Sequence, residues 1–210
     1  MRYIANNPGL VGMLFLEHLR LTGEVLAISL LIAVPLGVLI ARLPRLRGPV
    51  LSVLGVIYTI PSLSLFVLLI PLSGLGVTTA IIALVAYSQM MLVRNWVTGL
   101  TGIDPTIIEA AKAIGMSGWQ RFWQVEFPLA LPLLLAGVRL AALSTIGIGT
   151  IAAYISAGGL GNLLFQGVET ANYDKILAGS LAVSALAIGV NYFLRFLERR
   201  AEIAIRGQST

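Results

Sequence analysis

Apolar residues run through this chain in blocks whose length matters more than their periodicity. Val25–Ala41, Pro49–Ile70, Val77–Val93, Leu129–Ile155 and Ile176–Phe196 are almost free of charge. A membrane-spanning helix needs about 20 such residues, with a range of about 17–25, so the pattern predicts an all-α, polytopic membrane protein with five spans. Pro61 interrupts the second block, and the over-long fourth contains Arg139. Ahead of the first, Pro8–Gly23 is apolar but broken by Glu17, His18 and Arg20. It is too short and too charged to span, which predicts an N-terminal interfacial helix leading into the membrane. The expected organisation is an interfacial segment at 1–24, a transmembrane domain at 25–197 and a tail at 198–210, with a polar insertion at 94–128.

Composition agrees: 58% of residues are hydrophobic and 11% charged, against roughly 25% charged in globular chains. The mean hydropathy is +0.94. The net charge of +5 would suggest nucleic acid in a soluble protein. In a membrane protein it is the distribution of basic residues that carries information. Arg42, Arg45 and Arg47 follow the first span, Arg94, Lys112 and Arg121 lie in the polar insertion, and Arg195, Arg199, Arg200 and Arg206 close the chain. With five spans all of these share one side, and only Arg2, Arg20 and Lys175 fall on the other. The positive-inside rule then places the N-terminus outside and the C-terminus in the cytoplasm. Leu140–Ile155 is nearly long enough to span alone, so Arg139 is read near the cytoplasmic boundary, with a functional ion pair as the other reading. The absence of cysteine excludes disulfides, thiolate catalysis and Cys-ligated metal. The opening residues lack the apolar core of a cleavable signal peptide.

The insertion, "IEAAKAIGMSGWQRFWQVEFP" from Ile108 to Pro128, interrupts the apolar pattern on the basic side. Asp104-Pro105 is a helix start, since Asp accepts bonds from free N–H groups and Pro suits the first helical position. Ile107, Ala110, Ala111 and Ile114 recur at helical spacing as one apolar face, with Glu109 and Lys112 off that stripe. Gly115 is placed to end the helix in the left-handed conformation. Ser117 to Gln120 has the form of a capping box opening a second helix. Trp119, Phe122 and Trp123 suit that helix to the membrane interface, and Pro128 is expected to end it. A helix of about ten residues has little stability without packing. The pattern suits either an element that docks on a partner or an ordinary structured loop.

Glu109-Ala110-Ala111, Gly115 and then Val125-Glu126-Phe127-Pro128 resemble the EAA signature of bacterial ABC importer permeases. The chain departs from that pattern only in Val125 for Ile and Phe127 for Leu. The resemblance implies that this loop is a coupling helix seated in a groove of an ATPase subunit. Glu109, Ala110, Ala111 and Gly115, with Lys112 among them, would then make the contact. ATP and Mg would act on the partner, since this chain has no G-x-x-x-x-G-K-[ST] phosphate loop of its own. "YTIPSLSLFVLLIPLSGLG" (Tyr58–Gly76), "VRNWVTGLTGIDPTIIEAAKAIGMS" (Val93–Ser117) and "GIGTIAAYISAGGLGNLLFQG" (Gly147–Gly167) look like the quaternary-amine osmoprotectant importers, which take up glycine betaine, carnitine, choline or related compounds. The Ala157–Gly161 run is also similar to methionine and sulfonate permeases, so a methionine or other amino-acid importer is the alternative. The resemblance further implies a second permease copy or a related permease, and a separate extracytoplasmic binding protein, expected because the chain stops at Thr210.

For the substrate path, Pro61 removes a helical hydrogen bond, and such breaks are tolerated where protein or a water-filled cavity satisfies the freed groups. Thr59, Ser62 and Ser64 stand nearby, so the site reads either as a kinked span lining a path or as a packing kink. Aromatic faces hold quaternary ammonium groups by cation–π attraction, which makes Tyr58, Tyr87 and Tyr154 the candidate path aromatics. Gly147, Gly149 and Ser144 suit close helix packing. Ser156–Tyr173 is read as the outer loop that meets the binding protein, His18 as interfacial, and Glu17, Glu24, Glu169 and Asp174 as solvated charges. An intramembrane enzyme has no acidic pair, His cluster or Cys to work with, and a stand-alone channel would not need the coupling signature.

Overall fold

The computed structural model describes residues 2–206; the rest of the tail, 207–210, lies outside the described residues. Among the described residues the protein is helical throughout, with no strand. A short helix α1 (Arg2–Asn6) precedes α2 (Pro8–Arg42), a single helix of 35 residues. The expected separate lead-in is therefore corrected: Pro8–Gly23 runs without a break into the first span. Its buried positions Val11, Leu14, His18, Leu21, Thr22 and Val25 lie on one stripe, while Glu17 and Arg20 face away from it. Two charges on one side do not interrupt a helix whose other side is packed. Pro35, inside the helix, does not break it either.

The second apolar block divides into α3 (Pro44–Thr59) and α4 (Ser62–Ser73), which meet at 97°. Pro61 thus produces a full break rather than a kink. Ile60 turns extended ahead of the ring, the conformation that a following proline favours. Next come α5 (Val77–Thr101), the central and most buried span, and α6 (Pro105–Ala113). The fifth helix carries Arg94 on its last two turns, so the polar loop starts later than position 94.

A four-residue helix α7 (Gly118–Arg121) passes through a π turn, Phe122–Glu126, into α8 (Phe127–Ala152). Pro128 therefore does not end the aromatic helix. In the wider turn the Phe127 N–H donates to the Phe122 carbonyl five residues back, and the proline follows in the first turn of α8, where a missing N–H and a bulky ring are accommodated. A short 3₁₀ turn, Ala153–Ile155, leads to α9 (Gly161–Glu169) and to α10 (Tyr173–Arg206). The expected outer loop thus holds a helix of its own.

Among the described residues four helices are long and apolar enough to cross a membrane, and α3 with α4 makes a fifth if the bent pair counts as one span. The cores join α5 to α2, α4 and α8, with a further cluster tying α2 and α8 to α9 and α10. His18, read as interfacial from sequence, is fully buried here. Its Nε2 lies 3.1 Å from the Ile146 carbonyl, and Gly159 covers its other edge. A Cβ at Gly159 would stand 2.9 Å from Nδ1.

Candidate functional site: the loop that leaves the membrane

The loop after α5 is built from local signals. Asp104 caps α6 by accepting from the Thr106 N–H at 2.8 Å and from its hydroxyl at 2.7 Å. That hydroxyl, then the N–H, hold the Asp104 carboxyl below its ordinary range. The cap thus stays ionised into mild acid, and its contribution is lost only as pH falls through the lowered value. At the other end Gly115 takes φ +82°. Its N–H donates to the Lys112 carbonyl at 3.0 Å, and the Met116 N–H to that of Ala111 at 3.1 Å. This pair of bonds is the Schellman closure that glycine permits. Ser117 and Gln120 then form the reciprocal capping box, at 2.9 and 3.3 Å.

Between these caps α6 stands nearly free. Ala111 is buried against the protein, whereas Glu109, Ala110, Lys112 and Gly115 are exposed. Ile107 and Ile114 are 42% and 76% exposed. The apolar stripe expected from sequence therefore splits: one alanine seats the helix, and Ile107, Ala110 and Ile114 present an apolar surface that this chain does not cover.

Under the loop lies a feature that the sequence did not reveal. Glu126 is buried on the π turn, with its side chain 7% exposed. One oxygen accepts from Arg42 at the end of α2 (2.5 Å), the other from Nε of Arg121 (2.8 Å). The carboxylate thereby joins the first span to the entry of α8, 84 positions apart in sequence. Trp119, Phe122, Trp123 and Phe127, on the same turn, pack on one another edge-to-face or tilted at ring separations of 5.2–6.2 Å. The available signal was Glu126 itself, an acid set between apolar neighbours, though nothing in the sequence names its partners.

The candidate path residues separate into two places. Tyr58 and Tyr87 meet edge to face at 6.0 Å beside the α3–α4 break. The Tyr87 hydroxyl donates to the Ile60 carbonyl at 2.5 Å, satisfying a backbone group that the break leaves open. Tyr87 is buried, Tyr58 is 41% exposed, and Pro61 and half-buried Ser62 complete the corner. Tyr154 lies elsewhere, 63% exposed on the 3₁₀ turn after α8 and packed on Phe165 at 5.8 Å. Beyond that turn Glu17 accepts from the Gly159 N–H at 3.1 Å, so Glu17 ties α2 to the glycine loop rather than being only a solvated charge.

A bundle of spans that sends one doubly capped helix out of the membrane, its apolar side uncovered, is a membrane subunit shaped to engage another chain. The sequence profile of the binding-protein-dependent transport system inner membrane components matches residues 33–203, and the chain belongs to that family. It is 36% identical over 200 residues to the glycine betaine/carnitine/choline transport system permease protein OpuCB of Bacillus subtilis (strain 168), covering 95% of this chain and 92% of the relative. The osmoprotectant import permease protein OsmW of Salmonella typhimurium (strain LT2) is 40% identical over 203 residues, 94% of each chain. In fold the chain resembles an inward-facing MetNI methionine ABC transporter structure, with a TM-score of 0.82 at 21% identity, over 93% of this chain and 98% of that one. This chain is accordingly the multi-pass inner-membrane permease of an ABC system and not its ATPase, and the family works with an ATPase and a substrate-binding protein.

Proposed function

We propose that this permease imports quaternary-amine osmoprotectants of the glycine betaine, carnitine and choline class, driven by ATP and Mg on a partner ATPase. The observation that carries the reading is the agreement in substrate class between two relatives that each align over more than nine tenths of both chains. The methionine alternative has the fold alone behind it. In the proposed mechanism Glu109, Ala110, Ala111, Lys112 and Gly115 contact the ATPase, and the uncovered Ile107, Ala110 and Ile114 give that contact its apolar area. The permease works as a pair, with a second copy or a related permease, and a separate binding protein delivers substrate at the outer turn around Ser156–Tyr173. The N-terminus lies outside and the C-terminus in the cytoplasm. Tyr58, supported by Tyr87, Pro61 and Ser62, offers its exposed face to the cationic head, and Tyr154 stands at the outer mouth.

The test is uptake into proteoliposomes holding the complete importer and its binding protein. Labelled glycine betaine, carnitine or choline should accumulate with ATP; accumulation of methionine instead would overturn the substrate assignment. Gly115→Asp should abolish both uptake and the hydrolysis that delivery stimulates. If both persist unchanged, the coupling role of this loop is wrong.

A further inference from the structure

Arg139 interrupts an apolar helix, where an unpaired charge is costly. Its Nε donates to Oε2 of Glu198 on α10 at 3.0 Å, with both side chains largely covered. The pair forms one wall of a cleft of about 440 Å³ lined only by charged residues: Arg139, Arg195, Glu198, Arg199 and Glu202. On α10 these recur at three- and four-residue spacing, so Arg195 and Arg199 share a face one turn apart. Neither makes an ion pair among the described residues. With Glu198 matched to Arg139 and Glu202 counted against the other two arginines, the cleft retains one positive charge.

Its depth identifies the medium around it. At about 1.5 Å per residue, Arg195 lies about 33 Å along α10 from Tyr173, just beyond a hydrocarbon core of about 30 Å. Tyr192, Phe193 and Phe196 are exposed immediately before and among the arginines, the position of an interfacial aromatic belt. Arg200 lies over the Phe196 ring, 5.0 Å from its centroid, and does not line the cleft. The cleft thus opens at headgroup level, in the leaflet facing the coupling loop. Guanidinium groups match phosphate oxygens in paired hydrogen bonds, and one residual positive charge balances one phosphodiester.

We propose that this cleft binds the phosphodiester headgroup of an anionic phospholipid, with Arg195 and Arg199 as ligands and Arg139, fixed by Glu198, as the back wall. The experiment uses the assembled permease–ATPase complex, titrated with short-chain phosphatidylglycerol in neutral detergent and followed by native mass spectrometry. The wild-type complex should carry phosphatidylglycerol in preference to phosphatidylcholine. Arg195→Gln with Arg199→Gln should weaken that binding about thirtyfold, as expected for two interfacial arginines, and either single change less. Arg200→Gln, outside the cleft, should leave it unaltered. Should the double variant fail to assemble, each single variant, expected to weaken binding about fivefold, carries the test, while Arg195→Lys with Arg199→Lys keeps the charge and should retain most of the binding. Equal lipid retention in wild type and the glutamine variants would overturn the proposal. So would displacement of the lipid by millimolar inorganic phosphate, which would mark a free-anion site, or loss of the ATPase with lipid binding intact, which would mark a subunit contact.

Discussion

Glu126 is where one side chain controls the geometry of the exported loop. Its carboxylate is held by two guanidinium groups, and Glu126→Gln would keep its volume while removing the charge that both arginines face. Because Arg42 is 43% exposed, water will partly replace the lost partner, and the cost should be about 1–3 kcal/mol rather than that of a sealed pair. Thermal unfolding of the purified complex measures that loss. Substrate moved per ATP hydrolysed should fall as well, since the carboxylate connects α2 to the loop proposed to couple the two chains; an unchanged ratio would leave Glu126 a purely structural role. Gly115 is limited by conformation, not space: a Cβ there would meet nothing within 4 Å, yet φ is +82°. Gly115→Ala should therefore destabilise the loop by about 1–2 kcal/mol, and Gly115→Asn by less, because asparagine tolerates the left-handed region. Hydrogen exchange of the α6 amides reads the difference.

At the scale of elements, what was legible was what is local. Asp104, Gly115 and Ser117 announced the ends of their helices because each cap acts within a few residues. The lead-in departs from expectation because charge count within a window says nothing of where on a helix the charges fall; Arg20 is exposed, Glu17 reaches the Gly159 N–H, and His18 is buried. The π turn at Phe122–Glu126 was hidden, since Pro128 is an equally good signal for a helix end. The corner at Pro61 was located correctly, but its 97° angle is set by partners such as the Tyr87 hydroxyl on Ile60. That bond separates two roles in one aromatic pair. Tyr87→Phe should cost about 0.5–1.5 kcal/mol of stability and leave the KM for uptake unchanged. Tyr58→Ala should raise KM roughly 2- to 30-fold, the range of a single cation–π contact, and Tyr58→Phe should restore it. If Tyr87→Phe alone shifts KM, the buried tyrosine and not Tyr58 meets the substrate.

At the scale of the whole molecule the direction of threading decides function, because the energy source and the delivery protein of such a system must meet opposite ends. The α6 loop, the α2–α3 corner and the end of α10 share one end: the Arg42–Glu126 pair joins the first two, and Arg139–Glu198 brings α10 down alongside α8. The glycine loop and α9 occupy the other end, joined to α2 through Glu17 and His18. Arg42, Arg45, Arg47, Lys112, Arg121, Arg195, Arg199 and Arg200 all lie at the first end, which is the ground on which we propose that this end is cytoplasmic. The chain contains no cysteine, so single introduced thiols report position without background. Arg45→Cys, exposed on the first corner, should resist a membrane-impermeant maleimide in intact cells and react after permeabilisation. Glu169→Cys, exposed at the end of α9, should react in intact cells. The reverse pattern would place α6 on the side without ATP, where no ATPase could engage it, and would end the coupling mechanism whatever the substrate proves to be.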